Sequence, residues 1–64
     1  MSFSDYVKKL KVDYGKYLIL NTDMSLADCA IELGFFDQTH FTKTFKQVEN
    51  MTPSQFKRKY KKRE

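Results

Sequence analysis

Cysteine, histidine and proline occur once each in this 64-residue chain, glycine twice and tryptophan not at all. Each shortage excludes something. The lone Cys29 has no intrachain disulfide partner. One thiol and one imidazole fall short of the roughly four ligands a structural zinc needs, so no cofactor is expected. No apolar run approaches the roughly 20 residues of a membrane span. The opening MSFSDYVKKL lacks the apolar centre of a signal peptide. A free thiol without an export signal points to the cytoplasm. The chain also has no Gly-rich phosphate loop and no motif that places a nucleophile beside a base, so no enzyme is expected. With so little glycine and proline, and no alternating segment, the expected class is all-α.

A chain this short buries only about 60% of the surface its unfolded form exposes. Without disulfide or metal, its stability has to come from packing six Phe, four Tyr and the aliphatic side chains. The formal charge is +4, unevenly spread: residues 1–50 hold six Lys against seven acids, a net of −1, and residues 51–64 hold six Lys or Arg against one Glu, a net of +5. A basic end of this kind suggests a polyanionic partner. Its side chains, Lys61 among them, can contact phosphate, face solvent or oppose a helix dipole.

Four helices are expected. The first runs from about Phe3 to Leu20, with Phe3, Tyr6, Val7, Leu10, Tyr14, Tyr17 and Leu18 at helical spacing. Ser2 and Asp5 have capping-box spacing. A connector follows over residues 21–25. The second helix, about Leu26 to Leu33, starts behind Ser25 with the same spacing to Asp28 and stops at Gly34. The third, about Gln38 to Val48, starts behind Asp37 and carries Phe41, Phe45 and Val48 as its apolar stripe, with Asn50 as a left-handed stop. The fourth begins at Thr52, with Pro53 at its first position, a third capping box to Gln55, and Phe56 and Tyr60 facing inward.

Two short helices joined by a tight glycine-containing turn make a helix-turn-helix. In ADCAIELGFFDQTHFTKTF, small Ala27 and Ala30 would let the second helix approach the third. Phe35 would plug the angle between them. At about 100° per residue, an inward direction set by Phe41, Phe45 and Val48 leaves Thr39, Lys43 and Lys46 pointing outward. Thr42, Gln47 and His40 flank them, and Gln38 sits nearer the core but in the exposed first turn. Lys can donate to guanine, Gln can pair with adenine, and Thr offers a hydroxyl and a methyl. The amide-rich helix start near Ser25 could hold a phosphate.

These segments resemble the C-terminal part of the DNA-binding domain of the AraC/XylS transcription regulators. SLADCAIELGFFDQTHFTKTFKQ is similar to that family's second helix-turn-helix, with Gly34-Phe35, Asp37, Phe41 and Phe45-Lys46 at the matching places. TPSQFKR resembles the family's closing Thr/Ser-Pro-x-x-Tyr/Phe-Arg, and YVKKLKVDYGKYLIL its long linker helix. The resemblance implies a long N-terminal helix (residues 1–20) followed by a homeodomain-like three-helix subdomain (residues 21–64). It implies double-stranded DNA as partner, with Gln38, Thr39, Thr42 and Lys43 at bases and Lys46 at phosphate.

The chain departs from the pattern at several places. Asn50 stands where Gly is usual, Tyr14 and Gly15 where a basic residue and Ala are common, and Lys43 where Arg is frequent. The family carries two helix-turn-helices. A single one implies a piece of a longer bacterial regulator, without its first helix-turn-helix and effector domain, in which Met1 and Ser2 are cloning remnants. Aromatics of the first helix would then be partly exposed. The alternative reading is a protein-interaction module, with RNA polymerase as the implied partner.

Overall fold

In the computed structural model, residues 2–61 are described; Met1 and the basic-tail positions Lys62, Arg63 and Glu64 lie outside them. Four helices follow in order: α1 (Phe3–Asn21), α2 (Leu26–Glu32), α3 (Gln38–Glu49) and α4 (Pro53–Tyr60). The fold is all-α and homeodomain-like, as expected.

Each helix starts where a short polar side chain accepts a free amide. Ser2, Ser25, Asp37 and Thr52 accept from the third residue onward at 3.2, 3.1, 2.8 and 3.2 Å. Only at α4 does the expected box close, with the Gln55 side chain accepting the Thr52 amide at 2.9 Å. In α1 and α2 the third residue is Asp, one methylene shorter than Glu, and the return bond is not made. Gly34, at φ +83°, ends α2. Its amide donates to the Ile31 carbonyl at 3.0 Å and the Phe35 amide to the Ala30 carbonyl at 2.9 Å, the paired bonds of a Schellman stop. Asn50 ends α3 at φ 62° as expected; its short polar side chain tolerates a conformation that most residues avoid.

One core joins all four helices: Val12, Leu18 and Ile19 from α1, Cys29 and Ala30 from α2 with Leu33 and Phe35 behind it, Phe41 and Phe45 from α3, and Phe56 from α4. Three sequence expectations need correcting. Of the α1 stripe drawn through Phe3, Tyr6, Val7, Leu10, Tyr14, Tyr17 and Leu18, Leu18 is buried and Val7 half-buried, but the other five are exposed, and Val12, Gly15 and Ile19 join Leu18 in the core. α1 has two apolar faces, and periodicity selects the longer, not the one that packs. Ala27 is exposed, because it sits about 100° off the Leu26–Cys29–Ala30–Leu33 face. Tyr60 covers Phe56 at 4.7 Å between ring centres yet stays half exposed.

Gly15 lets α1 pack closely against its neighbours. A Cβ there would lie 3.1 Å from Leu33 Cδ1 and 3.3 Å from the Phe41 ring. The helix-propensity cost of this glycine is thus the condition for tight packing.

Two lysines fasten the helices. Lys61 Nζ donates to the Thr22 carbonyl just past α1 and lies 3.5 Å from Asp23 Oδ1. This gives Lys61 a structural partner within the chain. Lys16 Nζ donates to Glu49 Oε1 at 2.8 Å, tying α1 to the end of α3, and sits 3.4 Å from Asp13. The hydrogen bond to Glu49 holds the Lys16 ammonium above its ordinary pKa of 10.5. A raised lysine contributes stability below its unfolded pKa and loses it as pH climbs through the folded one. Lys16→Met should therefore cost about 0.5–1 kcal/mol at neutral pH. The gap between the wild-type and variant melting curves should narrow as pH rises past the ordinary value of 10.5 and through the raised one. A gap that persists there would mean that the lysine stem, not its charge, stabilises the fold.

Candidate nucleic-acid interface

The turn between α2 and α3 is held by aromatic packing. Phe35 sits between the helices, 5.4 Å from the Phe41 ring and edge-on to His40 at 5.3 Å. Phe41 and Phe45 meet edge-to-face at 5.8 Å, and Phe45 and Phe56 at 5.5 Å. Lys11 of α1 lies 5.2 Å over the Phe35 ring and closes the plug from outside. This chain of rings fixes the roll of α3, and so decides which of its side chains project.

Phe41, Thr44 and Phe45 face the core, and Val48 is half-buried against it. Gln38, Thr39, Lys43, Lys46 and Gln47 are exposed, and Thr42 is half-buried at the edge of that face. Four of the five α3 positions singled out in the sequence thus reach solvent fully. From Thr39 to Lys46 the face runs about 10 Å along the axis, within the roughly 12 Å width of a major groove.

The charge on this face is of one sign. The only acid within α3 is Glu49, which is engaged by Lys16. The Asp37 carboxylate is turned onto the His40 amide at 2.8 Å. Among the described residues, no carboxylate lies within ion-pair distance of Lys43 or Lys46, whereas Lys9 and Lys61 each have one and Lys16 has two. Ser25 lies apart, on the start of α2. It is exposed, and its oxygen accepts the Asp28 amide, which leaves its hydroxyl proton to donate.

Two residues at the site were not anticipated. Phe36, directly before the Asp37 cap, is 92% exposed beside the start of α3. The doubled phenylalanine carries the signal, since a two-helix turn takes one plug. Thr44 is 3% exposed, and a polar residue midway along α3 gave no hint of burial. Cys29 is fully buried, and that burial pushes its thiol pKa up. Among the described residues, no helix is long and apolar enough to cross a membrane, and no cluster of three or more His, Cys, Asp or Glu could hold a metal.

A capped helix presented by a glycine turn and an aromatic plug, with an unpaired cationic outer face, defines a helix-turn-helix protein. A family model described as a helix-turn-helix domain matches residues 1–59. The chain belongs to the AraC/XylS-type helix-turn-helix family. It is 37% identical over 49 residues to the HTH-type transcriptional regulator ExsA of Pseudomonas aeruginosa, covering 77% of this chain and 18% of ExsA. It is 30% identical over 57 residues to the HTH-type transcriptional activator RhaR of Escherichia coli K12, covering 89% of this chain and 20% of RhaR. The chain thus spans about a fifth of the length of these relatives. Among solved structures, the C-terminal domain of the two-component response regulator yesN from Fusobacterium nucleatum superposes with a TM-score of 0.84 at 30% identity, over 89% of this chain and 55% of that one.

Proposed function

We propose that the chain is a sequence-specific double-stranded DNA-binding module of a bacterial transcription regulator, with α3 in the major groove. Residues 1–20 act as the linker helix and residues 21–64 as the reading subdomain. Gln38, Thr39, Thr42 and Lys43 meet base edges, and Lys46 and the Ser25 hydroxyl meet phosphates on either side. The observation that carries this reading is the outer face of α3, exposed, polar and bearing two lysines without a carboxylate partner among the described residues. The regulators it resembles carry transcriptional control in their names. A single module buries only about 600–1,000 Å² of protein surface, so binding should be weak and strongly salt-dependent. Asp28 and Glu32, exposed on α2, work against it.

Titration of a panel of duplexes at several salt concentrations tests the assignment. Lys43→Ala should lose about 1–3 kcal/mol on the preferred duplex and little on the others, relaxing specificity. Lys46→Ala should weaken all duplexes alike and reduce the salt slope by about one. Identical effects of both substitutions on every duplex would refute the division of roles. A protein-contacting role, with RNA polymerase as partner, is the second reading, favoured by the exposed aromatic face of α1. Salt-insensitive binding to a protein, with no duplex binding at low salt, would select it.

A further inference from the structure

Phe36 is left out of the chain of rings that sets α3. It directly precedes the Asp37 cap, a place from which a hydrophobic side chain often staples onto the fourth residue of the helix. That residue is Phe41, fully buried with its ring against Phe35 and Phe45. Phe36 is 92% exposed instead, and the staple is not made. Among the described residues Phe36 has no aromatic or cationic partner, whereas Phe35 beside it has both.

Single exposed hydrophobics are ordinary on a protein surface, so exposure alone assigns nothing. The place of this one does. The Asp37 backbone is extended, which puts the Phe36 Cα no more than about 7 Å from that of Gln38. Phe36 thus stands at the start of α3, and a helix-turn-helix contacts base edges mainly through the N-terminal residues of its recognition helix. It adds an apolar ring to an exposed set, Gln38, Thr39 and Lys43, that is otherwise polar. The neighbouring Asp37 carboxylate is turned onto the His40 amide at 2.8 Å, so it does not project beside the ring.

The major groove presents hydrogen-bond donors, acceptors and one apolar group, the 5-methyl of thymine. A polar side chain finds a partner there at every base pair; a phenyl ring finds one only at thymine. We propose that Phe36 is a specificity residue, covering a thymine methyl beside the base pair that Gln38 reads. The inference rests on α3 entering the major groove. Gln38 selects adenine through its amide, and Phe36 selects thymine next to it, so the start of α3 reads two adjacent A·T pairs. Lys43, about 7.5 Å further along the helix axis, reads guanine beyond them. Burial of the ring occurs only in the complex, so its apolar surface contributes to recognition and not to folding.

Fluorescence anisotropy at low salt, with the 64-residue chain and the best-binding duplex of the panel, tests this. Each thymine is replaced in turn by deoxyuridine, which deletes the methyl and keeps the pairing. At one position the replacement should weaken wild-type binding about fourfold, the worth of one buried methyl group. Threonine methyls also sense thymine, so the cycle with Phe36→Ala decides. Phe36→Ala should weaken binding to the thymine duplex about fourfold or more and bind the uracil duplex as well as the thymine one. Phe36→Leu, still apolar, should keep the preference for thymine. Circular dichroism of both variants should match the wild type, since Phe36 is exposed. If no uracil position separates the wild type from Phe36→Ala, the proposal is overturned. A Phe36→Ala loss equal on thymine and uracil duplexes also overturns it, and places the ring on the sugar-phosphate backbone. A Phe36→Ala variant that binds every duplex like the wild type overturns it too, and leaves the ring to a protein partner. Lys43→Ala separates these failures from failure of the underlying reading: if it still relaxes specificity, α3 reads bases without Phe36, and if it does not, both fall.

Discussion

Phe41→Ala should leave the chain largely unfolded at room temperature. Phe41 is fully buried, packed against Phe35 and Phe45 and against the gap that Gly15 leaves in α1. Truncating a buried phenylalanine costs about 3–5 kcal/mol, part in lost transfer energy and part in the cavity left behind. A core of this size supplies roughly 3–5 kcal/mol in all. The lone cysteine allows no intrachain disulfide, and no metal-binding cluster is found among the described residues, to offset the loss. The cavity cannot collapse easily, because its walls come from α1, from α3 and from the turn between α2 and α3, each of which is held by other packing. Far-UV circular dichroism and urea titration should show helix content disappearing without a cooperative transition. Phe41→Leu, which keeps most of the volume, should stay folded at a cost of about 1–1.5 kcal/mol. Phe36→Ala, five positions earlier and 92% exposed, should change stability by less than about 0.5 kcal/mol. A cooperative Phe41→Ala melt close to the wild type would mean that the ring chain is not what sets the helix angle.

The contrast between Phe36 and Phe41 shows how far the sequence could be read. Helix ends were legible because their determinants are local. Ser2, Ser25, Asp37 and Thr52 each bond an amide three residues on, and Gly34 and Asn50 adopt the left-handed stops that only such residues accept readily. The outward face of α3 was legible because its buried stripe is unambiguous. The orientation of α1 was not. Its sequence carries two apolar faces, and the choice between them lies in Gly15, whose missing side chain admits Leu33 and Phe41. A glycine in a helix reads as a weakness until its neighbours are known. The role of Lys61 was equally hidden, since its partners at Thr22 and Asp23 are nearly 40 residues away in sequence.

Lys43→Glu combined with Lys46→Glu should weaken duplex binding about a hundred- to a thousand-fold at low salt. Each reversal replaces an attraction to the duplex polyanion, at a base edge for Lys43 and at a phosphate for Lys46, by a repulsion. At close range in water-rich surroundings each is worth about 1 kcal/mol, so two reversals swing the balance by roughly 4 kcal/mol. The fold should survive, because both side chains are exposed and neither lies in an ion pair among the described residues. An acid in the last turn of α3 opposes the helix dipole by only about 0.3–1 kcal/mol. The salt dependence should flatten at the same time, by about one unit of slope for each phosphate no longer neutralised. Net charge alone has to be separated from docking geometry. Lys9→Glu shifts the charge as much as Lys43→Glu does, but Lys9 lies on α1 beside Asp13. If α3 enters the groove, Lys9→Glu should cost less than about threefold while Lys43→Glu costs about tenfold or more. Equal losses would mean that the duplex senses a diffuse positive field, and that the face built by the aromatic plug plays no part in reading it.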